Sequence, residues 1–488
     1  MAPAICGKLR QIRASGRVGP KQDRTGCGFP IRVDAVTTPD MSLSGASVLV
    51  AGAGLAGLVA ARDLAAMGAS VTVVEARDRV GGRVWTLRDG FIDGQHAEAG
   101  GDMIDEEQHA IRTLADELGL SQVRILSNGF GYARPDPSGE VKLVPRSAAR
   151  GWERVGHELA GLAQRYRWSE RRWDSPVAAD MGRRSVARWL DDIGADSELR
   201  ATCLGLRGFF LADPEELSLL QLVDQFSQDE APAPGKMFRI EGGNDRLTAV
   251  LAALLGERVH LNTELLAVSQ RGGTVRASLR NGRSRTQLQA DYLVLALPAP
   301  LLRRVPITPA LPAQQHEAVA SLPYGRGTKT LLQFTSRFWR KTGRPRAFGS
   351  PLPIGAGWEG NEEQRGKAGI FALLAGGSAS DATNTIIARE GIQGIVRGLE
   401  WLGAKQTDLV AWRQARWESD PWSRGGYALF DPAYKPSLRG WLAQPCGRLF
   451  FAGEHTSLRW QGYMNGAVES GHRAAAEVRA THIMGSGQ

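Results

Sequence analysis

Four cysteines in 488 residues, Cys6, Cys27, Cys203 and Cys446, are too few and too scattered for a disulfide scaffold or a C-x-x-C site. Thiols used this sparingly suit a reducing compartment, so a cytoplasmic location is expected. The eight histidines have neither HExxH nor HxxxH spacing, and no structural or catalytic metal is expected. No run of eighteen apolar residues occurs, so neither a membrane-spanning helix nor a membrane partner is expected. The G-x-S-x-G elbow of the commonest hydrolases is missing as well.

What is present describes a soluble, multi-domain chain. Hydrophobic residues make up 42% and charged residues 23%. A chain this long exceeds one typical domain, so two are expected. The net charge of +9 is dispersed, which could help to hold phosphates or an anionic partner but more often means only solubility. Basic and aromatic residues interleave locally in Arg165–Trp173, RYRWSERRW, a pattern that could grip single-stranded nucleic acid. Its place after a helical run favours a helix with inward aromatics and solvated arginines, and no nucleic-acid partner is expected. The first forty residues carry seven Lys and Arg against three Asp and have no apolar h-region. Residues 1–45 are therefore read as a disordered or non-native extension rather than a targeting segment; Met41 stands just before the first strand.

The stretch Val48–Arg83 organises the rest. A strand-like run, Val48-Leu49-Val50-Ala51, passes into Gly52-Ala53-Gly54-Leu55-Ala56-Gly57, then an apolar helical pattern stopped by Gly68, then a β-branched run, Val71 to Val74, ending on Glu75. This is a βαβ unit with a dinucleotide fingerprint. Gly52 makes the tight turn, Gly54 admits a pyrophosphate close to the backbone, and Gly57 lets helix and strand pack closely. The helix N-terminus favours the phosphate charge, and Glu75 stands where an acid can take ribose hydroxyls.

The continuation Glu75-Ala76-Arg77-Asp78-Arg79-Val80-Gly81-Gly82-Arg83 resembles the E-A-x-x-R-x-G-G-R signature of the flavin-containing amine oxidase superfamily. Further motifs carry the resemblance over residues 46 to about 480. Glu98-Ala99-Gly100-Gly101-Asp102-Met103-Ile104 is similar to the segment whose paired glycine lets backbone pass the isoalloxazine. L-amino-acid oxidases hold an arginine there; none occurs from 99 to 104, which counts against an amino-acid substrate. Arg239 to Leu247 resembles the family's G-G-x-x-x-L turn, and Asp291 to Pro298 a core strand of its nucleotide domain. Phe450-Phe451-Ala452-Gly453-Glu454-His455-Thr456 and Gly462-Tyr463-Met464-Asn465-Gly466-Ala467 resemble the closing segment of polyamine and monoamine oxidases.

The resemblance implies an α/β fold: a discontinuous, Rossmann-like FAD-binding domain of the GR2 type (46–125, 236–300 and 446–482) with an α+β substrate-binding domain (126–235 and 301–445). The first part of the substrate domain is expected to be helical. The implied cofactor residues are Gly52, Gly54, Ala56, Gly57, Glu75, Ala76, Arg77, Gly82, Arg83, Gly100, Gly101, Asp102, Met103, Val259, Gly453, Glu454, Tyr463 and Met464. Lys329, taken alone, would be a solvated edge charge; in the family a lysine at this place holds a water against flavin N5 and assists reoxidation by oxygen. Tyr427 and Tyr463 match a two-sided aromatic cage for the amine nitrogen, whose attraction to an aromatic face gives the chemistry a reason to want them. Gly426 stands where monoamine oxidases carry the cysteine linked to flavin, so FAD is expected to be non-covalent. His455 is expected to pack rather than to act as a base.

The expected function is oxidation of an amine to an imine by hydride transfer to FAD, with O2 reoxidising the flavin to give H2O2. The partners are a small-molecule amine and O2, with homodimerisation left open. Two alternatives stay open: a dehydrogenase or desaturase of the same superfamily, and a flavoprotein scaffold.

Overall fold

A computed structural model describes residues 42–136, 138–145, 147–227, 236–342 and 344–486. The reading of residues 1–45 as an extension thus lies, up to residue 41, outside the described residues. The sequence around Val48 folds as its pattern dictates. Strand β1 (Ser47–Ala51), helix α1 (Leu55–Ala66) and strand β2 (Ser70–Val74) form the βαβ unit, and β1 is buried from Val48 onward because a central parallel strand is covered on both faces. Three distant segments complete a parallel sheet: β3 (Val259–His260), β4 (Tyr292–Leu295) and β5 (Leu449–Phe451), in the order β3-β2-β1-β4-β5. Val48 lies opposite both Val71 and Tyr292, and Leu293 opposite Leu449, so strands from both ends of the chain share one register.

Helices cover one face of this sheet. Helix α2 (Met464–Ser486) lies on α1 so closely that a Cβ at Gly471 would come within 2.6 Å of the Ala56 carbonyl oxygen. Val48, Val50, Leu58, Val59, Leu64, Val468 and Val478 share the resulting core. The opposite face, with Leu49, Ala51, Leu293 and Leu295, is covered by the antiparallel strands Thr263–Arg271, Thr274–Asn281 and Ser284–Ala290 through Val268, Val275 and Ala277.

A seven-stranded sheet forms the other half of the architecture. Its order is Leu409–Arg416, Gly327–Phe334, Gly369–Gly376, Ala356–Glu359, Ala347–Gly349, Phe130–Pro135, Val141–Pro145. Two of these strands correct the expectation that 126–235 opens with helices. Phe130–Pro135 and Val141–Pro145 form a hairpin whose turn is set by Asp136, its carboxylate accepting from the Ser138 and Glu140 amides. Helices follow from Ser147–Trp168 onward. Tyr166 packs inward as expected, but Trp168 points out and is 74% exposed, while Trp173 is half-buried. No helix among the described residues is long and apolar enough to cross a membrane.

Candidate active site

One cavity of about 1240 Å³ runs from the first βαβ turn to the seven-stranded sheet. Ligand pockets are usually about 300–1,000 Å³, so this volume suits a dinucleotide together with a second molecule. At its nucleotide end the glycines differ in function. Gly52 has a φ of +105° and a Cβ there would sit 2.8 Å from the Ala296 oxygen; a Cβ at Gly57 would sit 1.9 Å from the Gly52 oxygen. These two glycines are required by the protein's own packing. Gly54 is different: it lines the cavity and caps α1, and a Cβ there meets no protein atom within 4 Å. Backbone amides of the first helical turn, which have no intrahelical acceptors, therefore border open cavity.

Glu75 ends β2 with its carboxylate accepting from the Ala53 and Arg77 amides at 2.8 and 2.9 Å. Burial holds its carboxyl above the usual range, against the pull of those amides. Arg77 is bidentate to Asp420 at 2.9 and 2.6 Å, which ties the first turn to the loop before Tyr427. The Gly81-Gly82-Arg83 turn lies against the first one, the Gly81 amide donating to Ala53 O at 2.9 Å. Arg83 then reaches Glu454 at 2.8 Å and the Gly426 carbonyl at 2.9 Å. Glu454 also accepts from the Gly462 amide at 2.9 Å. One carboxylate thus fastens the Gly81–Arg83 turn to the loop that carries Tyr463.

The paired glycines are fixed by neighbours on both sides. A Cβ at Gly100 would lie 1.9 Å from the Arg83 oxygen, and one at Gly101 would meet Met464 Sδ at 2.8 Å. Trp417 donates to the Ala99 carbonyl at 3.0 Å and holds this segment from the seven-stranded sheet. On the far side of the cavity Tyr427 and Tyr463 both line the wall. Tyr427 Oη donates to the Phe209 carbonyl, and Tyr463 packs edge-on to Trp460 with centroids 5.6 Å apart. Burial, with Tyr463 and Glu454 acting on Tyr427 and Asp105 on Tyr463, pushes both phenols well above their ordinary range, so both stay neutral. Around them Phe130, Tyr132, Leu206, Phe209, Leu211 and Leu374 give an apolar lobe.

Lys329 lies in the fully buried strand Gly327–Phe334 and is itself 3% exposed, not a solvated edge charge. Burying an ammonium requires a partner. Its Nζ donates to Asp102 at 2.7 Å and to the Gly100 carbonyl at 3.2 Å, and lies 5.0 Å from the Trp358 ring centroid. Asp102 receives Arg239 on its other oxygen and Trp358 Nε1 at 3.0 Å; Arg239 also pairs with Glu363 at 2.8 Å. Despite burial, Arg239 and Lys329 hold the Asp102 carboxyl below the usual range. Beside them Glu98 is pushed up to about 8 by burial and by the Asp102 charge.

Of the residues singled out from sequence, all but Gly57 and Val259 line this cavity. Gly57 packs beneath the turn, and Val259 pairs with Val73 at the sheet edge while Thr263, Glu264, Leu265 and Leu266 reach the wall instead. His455 is buried and does not line the cavity; burial lowers its imidazole to about 4, so it is neutral near pH 7. Arg239, Trp358 and Trp417 were not singled out as site residues. Arg239 had a signal, a cation three residues before the Gly242-Gly243 turn, whereas the two tryptophans are ordinary core residues by local pattern.

Comparison with known proteins agrees with this geometry. Residues 55–479 match the model of the flavin-containing amine oxidoreductases. Flavin-containing amine oxidase B from Cavia porcellus is 27% identical over 458 residues, covering 88% of this chain and 85% of that protein. The structure of cyclohexylamine oxidase from Brevibacterium oxydans IH-35A is similar with a TM-score of 0.78 at 25% identity, covering 89% of this chain and 99% of that one. Wild-type putrescine oxidase bound to putrescine gives a TM-score of 0.76 at 27% identity with the same coverage. The chain belongs to the flavin-containing amine oxidoreductases. It is a flavin-dependent oxidoreductase that acts on amines, with FAD as its cofactor. The residues present fit FAD: Gly54 leaves open space at a helix N-terminus where phosphate belongs, and Glu75 is delivered to the same cavity wall.

Proposed function

We propose that this chain holds FAD without a covalent link along the cavity and oxidises a neutral amine placed between Tyr427 and Tyr463. The observation that carries this reading is that both tyrosines and Lys329 line the same cavity as Gly52, Gly54 and Ala56 of the first turn. In this reading the first turn, Glu75, Ala76 and Arg77 take the adenosine and pyrophosphate. Gly82, Arg83, Gly100, Gly101, Met103, Gly453, Glu454 and Met464 border the remainder. The cofactor-holding domain comprises 46–125, 236–300 and 446–482, and the substrate domain the two stretches between. Gly426 offers no side chain for a covalent bond, and a Cβ there would run into Leu211 at 2.3 Å.

Bound there, FAD would supply the redox chemistry, by which two electrons and two protons pass from the amine CH–NH to O2; the products are an imine, which water hydrolyses to a carbonyl, and H2O2. The protein orients and shields. The tyrosine faces flank and align the nitrogen, and the apolar lobe accepts a hydrocarbon body and excludes water. Lys329 stands at the wall as a fixed donor for the oxygen half of the cycle. The scattered thiols support a cytoplasmic location.

The alternative is a dehydrogenase of the same superfamily, whose electrons leave to an acceptor other than O2. A screen of primary, secondary and polyamines, coupled in parallel to peroxide detection and to an electron-accepting dye, separates the readings. Peroxide formation supports the oxidase. Dye reduction without peroxide supports the dehydrogenase, and neither with any amine overturns both.

A further inference from the structure

Asp102 was expected among the cofactor contacts, yet its carboxylate is saturated by protein. Oδ1 accepts from Arg239 Nε at 2.9 Å and from Arg239 Nη2 at 2.5 Å; Oδ2 accepts from Lys329 at 2.7 Å and Trp358 at 3.0 Å. Four donors on two oxygens leave it little capacity for a ligand. Lys329 is the complement. Of its three N–H bonds two go to Asp102 and the Gly100 carbonyl, which leaves one donor on a side chain that lines the cavity. The cluster is also balanced: the cations Arg239 and Lys329 face the carboxylates Asp102 and Glu363, and Glu98 beside them is at most partly ionised near pH 7.

We propose that Asp102 is a positioning residue: it is the counter-ion that fixes the Lys329 ammonium at the cavity wall, and through this pair it sets how fast the reduced enzyme gives its electrons to O2. The proposal rests on the reading that Lys329 serves the oxygen half of the cycle. The reasoning is electrostatic. Without the carboxylate, the Lys329 ammonium lacks the 2.7 Å counter-ion that holds it, and its charge is no longer fixed at the cavity wall. Arg239 is what makes the arrangement rigid, because its planar fork pins Asp102 from the side opposite Lys329.

The test is a double-mutant cycle on the FAD-loaded protein, with Asp102→Asn, Lys329→Met and both together. Stopped-flow mixing with O2 gives the reoxidation rate and anaerobic mixing with amine the reduction rate. Thermal unfolding and FAD titration give two readouts independent of turnover. Losing a directly acting preorganised charge costs about 100-fold or more, and a group acting through another costs less, so Asp102→Asn is expected to slow reoxidation on the order of tenfold. In the Lys329→Met background the same change is expected to have less than about a twofold effect, with non-additive losses in Tm, while reduction rate and FAD affinity move less than about threefold. Equal slowing in both backgrounds, or no slowing by Asp102→Asn while Lys329→Met slows, overturns the counter-ion proposal alone. No slowing by Lys329→Met overturns the reading on which it rests. Should Asp102→Asn fail to fold, Asp102→Ser with Arg239→Leu removes one anion and one cation together; the same slowing relative to Arg239→Leu alone is expected, and its absence refutes the proposal.

Discussion

Arg83 and Glu454 are 371 residues apart in sequence and meet at 2.8 Å, joining the turn after the first βαβ unit to the loop that leads to Tyr463. Glu454 is buried, and the Arg83 charge, acting against desolvation, holds its carboxyl below the usual range. The pair closes the cavity between the first and last motifs of the chain.

Glu454→Gln keeps the size of the side chain and removes the charge that Arg83 faces. Stranding one member of a buried pair costs about 3 kcal/mol. The expected outcome is a lowered Tm and FAD affinity reduced at least about tenfold, measured by fluorescence titration of the apoprotein. Unchanged FAD affinity would mean that the brace does not shape the cofactor cavity.

The same methyl group should have two different effects on the first turn. Gly57→Ala places a Cβ 1.9 Å from a backbone oxygen, so it should destabilise the apoprotein and abolish FAD retention. Gly54→Ala meets no protein atom, so the apoprotein should keep its Tm within about 1 °C while FAD affinity falls at least about tenfold. Equal effects of the two substitutions would place the phosphates elsewhere.

Glu98 makes a prediction about pH. Its folded carboxyl titrates at about 8, whereas an unfolded glutamate titrates near 4.5. Between those values the folded chain holds a proton that the unfolded chain has lost, so this group makes stability fall as pH rises from about 4.5 to 8. Glu98→Gln is neutral throughout. Its stability relative to wild type should therefore climb by up to about 1.4 kcal/mol per pH unit across that window, read from urea unfolding at pH 5, 6.5 and 8. Parallel curves would show that Glu98 is ionised in the fold.

For the aromatic cage, the ring face rather than the hydroxyl is the working part. Tyr463→Phe should keep kcat/KM within about threefold, and Tyr463→Ala should lower it roughly five- to thirtyfold, as expected from an interaction of about 1–2 kcal/mol. A larger loss with Phe than with Ala would assign the role to the phenol O–H.

Local sequence chemistry made the nucleotide half legible, because each constraint there is local: the turn needs its glycines within six residues, and β1, α1 and β2 follow without interruption. The reactive half was legible only by resemblance. Lys329 illustrates why. A lysine before an apolar strand is normally solvated, and its burial depends on Asp102 and Arg239, which come from segments 227 and 90 residues away. The strands Phe130–Pro135 and Val141–Pro145 were missed because they are short and end in proline, although Asp136-Pro137-Ser138-Gly139 between them is a turn signal. Val259 was placed at the cofactor by family position, but the chain turns inward a few residues later, at Thr263 to Leu266.

The most direct measurement is anaerobic mixing of the yellow, FAD-loaded protein with an excess of an apolar primary or secondary amine while the flavin absorbance is followed. Bleaching at a rate that saturates with amine concentration, lost when Tyr427 and Tyr463 are both changed to alanine, is the predicted result. Flavin that stays oxidised with every amine tried would contradict the account.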